Sequence, residues 1–167
     1  MSTSEPTRAA NGKPEESVWD YPRPPRLERV PWRIRVRHAM ETIVDAPGAL
    51  RVLETSQPPA YYVDPTHVRT DLLVPSTSSS FCEWKGQASY VDVVVGANRV
   101  ADAGWRYDHP NPAFAELTGF YAFYAQKLDA CYVDEEQVES NEGQFYGGWI
   151  TANVIGPFKG APGTAHW

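Results

Sequence analysis

Apolar and polar residues alternate with a period of two over many short runs, and Gly, Pro, Asn and Asp interrupt the runs. That is the pattern of half-buried strands joined by tight turns. In Trp32-Arg33-Ile34-Arg35-Val36-Arg37 the apolar side chains fall on one face and three arginines on the other. Thr42 to Asp45 leads to a Pro47-Gly48 turn, and Ala49 to Thr55 reads as the next strand, with a short helical turn left open there. Ala60 to Val63 and Leu72 to Val74 are further short strands around a Pro65-Thr66-His67-Val68 turn. Phe81 to Val95 reads as one central strand-like stretch. Gly96-Ala97-Asn98 marks a hairpin whose returning strand carries Trp105 and Tyr107 on one face, beside the central stretch. Phe120 to Tyr124 and Leu128 to Val133 complete the set, before an acidic Asp134-Glu135-Glu136 loop. The best helix is short, under ten residues, with Asn111 as N-cap, Pro112 at the first helical position and Gly119 near its end. The pattern predicts a mostly β protein of compact antiparallel sheets with one short helix and under a fifth of its residues helical.

Composition sharpens this picture at the N-terminus. Residues 1–17 have no large apolar residue after Met1 before Val18, so they are expected to form a disordered tail, and residues 18–167 a single β domain. Trp19 to Pro25 alternates aromatics with prolines, which favours an extended or polyproline II arm. Six tryptophans and nine tyrosines make the domain rich in flat rings.

The formal net charge of −6 argues against general nucleic-acid binding, which needs a basic footprint. The stripe of Arg33, Arg35 and Arg37 is the local exception, readable as a phosphate or RNA contact or as a solvated face that discourages edge pairing. Two separated cysteines, Cys82 and Cys131, supply neither a disulfide framework nor four zinc ligands, and both read as buried thiols. No metal and no cofactor is expected. Nothing marks secretion or a membrane span, so the expected location is the cytoplasm and no membrane partner is implied. The oligomeric state stays open.

Candidate chemistry concentrates in Phe81-Cys82-Glu83-Trp84-Lys85-Gly86. With a strand's period, Glu83 and Lys85 would share a face about 7 Å apart, within reach of each other. Glu54 shares the apolar face of Leu50 and Val52, where a carboxylate must be paired, hydrogen-bonded or protonated. Glu54, Glu83 and Lys85 are therefore the candidate catalytic groups, with Cys82 an alternative nucleophile. The candidate ligand-binding residues are Tyr62, Trp84, Tyr90, Trp105, Tyr107, Tyr146, Trp149 and Lys159. Gly147 and Gly148 would allow close backbone approach to a ligand. Gly156 to Gly160 lacks the spacing of a phosphate loop. The four histidines, His38, His67, His109 and His166, show no triad logic.

The segments Val18 to Pro22, Glu54 to Tyr62, Phe81 to Gly86, Phe145 to Thr151 and Gly156 to Gly160 closely resemble the bacterial domain-of-unknown-function family 427, also labelled nucleotidyltransferase-like. The resemblance covers nearly all of Val18 to Trp167. It implies a compact, mostly antiparallel β domain similar to β-tent folds, without the paired zinc knuckles that pin many of them. Three functions stay open. One is small-molecule binding, with a planar heterocycle or nucleobase-like ligand in an aromatic cleft. Another is an enzyme of unknown reaction using Lys, Glu or Cys, including the nucleotidyl-transfer label. A third is a phosphate or RNA interaction module built on the arginine stripe.

Overall fold

A computed structural model describes residues 7–140, 147–159, 164 and 167. Half of it is strand and 12% is helical, all of that in short 3-10 turns. The strands are β1 (Glu16–Ser17), β2 (Arg26–Val30), β3 (Ile34–His38), β4 (Glu41–Ala46), β5 (Ala49–Leu53), β6 (Ala60–Tyr62), β7 (Leu73–Cys82), β8 (Gly86–Val95), β9 (Asn98–Arg106), β10 (Tyr121–Phe123), β11 (Ala130–Val133), β12 (Glu136–Gln137), β13 (Glu139–Ser140), β14 (Trp149–Ile150) and β15 (Val154–Ile155).

Two antiparallel sheets, β2-β5-β6 and β10-β9-β8-β7, are joined through reciprocal backbone hydrogen bonds between Val63 and Tyr121. Together they make one continuous surface with a face on each side. A third sheet, β12-β11-β3-β4, covers the first face. Strand alternation sorts the side chains between the faces. Tyr61, Val63, Val91, Val93, Ala103, Tyr121 and Phe123 go into the main core with Ile34, Val36, Ile43 and Val44 of the covering sheet. Their neighbours Leu50, Val52, Tyr62, Ala88, Trp105, Tyr107, Ala122 and Tyr124 go to the second face. There they meet Phe114 and Leu117 of the 3-10 segment Pro112–Leu117. Both faces are apolar because both are covered.

Three local expectations give way to the structure. Phe81 to Val95 is not one strand: β7 and β8 pair as a hairpin, Cys82 opposite Gly86, with Glu83, Trp84 and Lys85 as the turn. Gly86 has φ +105, a conformation that side-chain-bearing residues rarely adopt, and this lets the chain reverse. Asn111 holds the N-cap position, but its side chain makes no capping hydrogen bond. Its side chain donates instead to the carbonyls of Trp84 at 2.8 Å and Glu83 at 3.3 Å, and its N–H donates to the Lys85 carbonyl. Val18–Asp20 forms a 3-10 turn capped by Ser17 where an extended arm was expected.

Residues 7–17, which the composition predicts to be part of a tail, lie along the domain through polar contacts. Asn11 donates to Glu136 and Asn153, Lys13 pairs with Asp134 at 2.8 Å, and β1 runs parallel to β15. Glu16 reaches Arg51, only 2% exposed, which also binds Glu28 and lies over the rings of Trp32 and Tyr61. A segment without large apolar residues is thus fastened by charge.

Candidate functional site

On the second face, where the 3-10 segment stops, the sheet is open. A cleft of about 340 Å³ lies between the ends of β5 and β6, the β7–β8 turn, the rings of β8 and β9, and Gly147 and Gly148. That volume is at the small end of the range for ligand pockets. The period of two again decides which residues arrive. Tyr90 on β8 is paired with Trp105 on β9, and Trp105 with Ala122 on β10, so Tyr124 two residues later points the same way.

The rings form a connected wall. Trp105 Nε1 donates to Tyr62 Oη at 3.1 Å, and the two rings stand edge to face at 6.1 Å. Tyr62 and Tyr107 are 6.2 Å apart, Trp105 and Tyr124 4.6 Å, and Tyr90 and Tyr124 are near parallel at 6.5 Å. Ser80 Oγ and Tyr90 Oη share a hydrogen bond of 2.8 Å. Burial, first of all, raises the pKa of Tyr62, Tyr107 and Tyr124, so these phenols keep their protons at neutral pH and can donate them.

The polar groups converge from distant segments. Glu54 follows β5 and accepts a hydrogen bond of 2.9 Å from Gln57 Nε2. Lys85 comes from the turn, half-buried, with its ammonium 5.9 Å from the Tyr107 ring centre. Burial works against its charge, but Tyr62, Cys82 and Glu54 together outweigh that and hold its pKa above the ordinary lysine value. Lys85 is therefore a cation here, which weakens its reading as an amine nucleophile. Lys159 also borders the cleft, its N–H donating to the Ser56 carbonyl at 2.7 Å.

The structure thus brings together Glu54, Tyr62, Glu83, Trp84, Lys85, Tyr90, Trp105, Tyr107 and Lys159. Glu83 does not share a strand face with Lys85, because both sit in a turn, and it is exposed at the rim. Trp149 is not in the cleft. Gly148 packs on Pro58, so the next side chain turns into the main core, where Trp149 stacks on Tyr61 at 5.3 Å and donates to the Phe123 carbonyl. The space at Gly147 is taken by Trp105, whose Cη2 would lie 2.2 Å from an added Cβ. Tyr146 lies outside the described residues. Cys131 is buried, its thiol pushed up to about 12 by desolvation, whereas Cys82 is half-buried at the cleft. Tyr124, Gln57 and Ser80 were missed, although Tyr124 stands two places beyond Ala122 on the face of Trp105.

Elsewhere, the arginine stripe is occupied. Arg33 makes a two-pronged contact with Asp45, Arg35 lies over the Tyr132 ring 3.6 Å from Glu135, and Arg37 donates to Thr42. Among the described residues no three His, Cys, Asp or Glu side chains are grouped to hold a metal, and no helix is long and apolar enough to cross a membrane.

No curated protein matches the chain at a significant level. The family described as a domain of unknown function, DUF427, matches residues 26–134, which span β2 to β11 and every ring of the cleft wall described here. With well over half of its length in that match, the chain belongs to this family.

Proposed function

We propose that the protein binds a small molecule with a planar ring in this cleft. The observation that carries the reading is the convergence of four neighbouring rings, Tyr90, Trp105, Tyr107 and Tyr124, with Glu54 and Lys85 in one concavity. Stacking on an aromatic side chain contributes about 1–3 kcal/mol per nucleobase and tolerates many heterocycles, while a few polar groups fix orientation. A module reading phosphates through the arginine stripe has less support, because Arg33 and Arg35 already meet Asp45 and Glu135.

A thermal-shift screen of nucleobases, nucleosides and related heterocycles tests the reading on wild type and Tyr90→Leu. At least one ring compound should raise the wild-type melting temperature and have a smaller effect on the variant. A panel that moves neither protein, or both equally, removes the cleft as the binding site.

A further inference from the structure

Lys85 differs from several other half-buried cations. Lys13, Arg35 and Arg106 each reach a carboxylate, as does the fully buried Arg51, and Lys127 is taken by the carbonyls of Asp102 and Ala101. Lys85 has no carboxylate oxygen of the described residues within 4.0 Å of its ammonium; its neighbours are the Cys82 thiol and the Tyr107 ring. Glu54 is near enough to act on it through space, yet makes its hydrogen bond to Gln57. An ammonium with no carboxylate in contact keeps donors to give, and an anion arriving beside it gains a charge-assisted hydrogen bond.

A second donor stands close by. Tyr62 Oη accepts from Trp105, which leaves its own proton to give, while Tyr107 and Tyr124 are hydrogen-bonded to Tyr62 and Tyr90. A protonated phenol and an ammonium suit an acceptor with several lone pairs.

We infer that the ligand of this cleft is a planar ring bearing an oxyanion, carboxylate or phosphate, with the oxyanion seated on Lys85 and the ring against the Tyr107–Trp105 wall. The inference rests on the cleft being the binding site and adds the charge of what enters it.

Benzoate, phenyl phosphate, benzamide and benzylamine separate the possibilities, with contact read by saturation-transfer NMR and affinity by calorimetric titration. An oxyanion-bearing ring should bind at least about tenfold tighter than benzamide, the yield of one charge-assisted hydrogen bond. Which of the two oxyanions does so identifies carboxylate or phosphate. The advantage should shrink as salt is raised, and Lys85→Met should abolish it while leaving benzamide binding in place. The ranking on wild type stands even if the variant folds poorly. Benzamide or benzylamine binding as tightly as both oxyanions overturns the inference and leaves the ring site intact. No contact from any of the four compounds overturns both.

Discussion

Trp105 donates its indole proton to the hydroxyl of Tyr62 at 3.1 Å, with both residues buried and their rings edge to face. This bond ties β9 to β6 across the intervening β10 and fixes the floor of the cleft. Tyr62→Phe keeps the ring but strands the indole N–H, which should cost about 1–3 kcal/mol in a denaturant titration. A loss near zero would mean that water reaches Trp105 Nε1.

Gly147 tests the close packing of the same indole. Gly147→Ala forces a Cβ to within 2.2 Å of Trp105 unless one of them moves. Overpacking of this kind should lower stability by about 1–3 kcal/mol, measured by urea unfolding, and weaken any cleft ligand along with it.

On the first face of the sheet, beside Tyr61, Arg51 holds the N-terminal segment through Glu16. Glu16→Gln should cost about 1–3 kcal/mol and expose residues 7–17 to limited proteolysis sooner than in wild type. Arg51→Ala should be worse, about 3–5 kcal/mol, because it leaves the Glu16 carboxylate without its cation and Glu28 with only the more distant Arg26.

Acid stability should depend on Asp92. The Asp102 N–H on Oδ1 and Arg99 on Oδ2 hold its pKa below the ordinary carboxylate value. Because the folded pKa is the lower one, its stabilisation is complete above the unfolded value of about 3.9 and disappears as pH falls through the folded one. Asp92→Asn should therefore be less stable than wild type at pH 7 by about 1–3 kcal/mol, and the gap should close in acid. An equal gap at both pH values would assign the loss to packing instead.

How far the sequence reveals this protein varies by residue. Trp105 and Tyr107 could be placed on one face because strand alternation is a local rule, whereas Tyr62 and Tyr90 join them through strand pairing. Trp149 obeys the same rule, but its phase is set by where Gly148 meets Pro58, a contact between distant segments. The turn at Glu83 to Lys85 was hidden because its flanking residues suit a strand, and only the positive φ of Gly86 breaks the run. The fastening of residues 7–17 and the ion pairs of Arg51 leave no such trace, because their partners are charges far apart in sequence and hydrophobic periodicity carries no record of them.

The way Asn111 holds the hairpin turn sets what can change there. It grips only main-chain atoms, the carbonyls of Glu83 and Trp84 and, through its own N–H, that of Lys85. Every residue type offers the same carbonyl. The exposed side chain at position 83 can therefore be exchanged without moving the lysine two places on. The rim of the cleft can be reshaped for ligands of different outline while the charge at its edge stays where it is, so the turn is the natural place to graft new selectivity onto this scaffold.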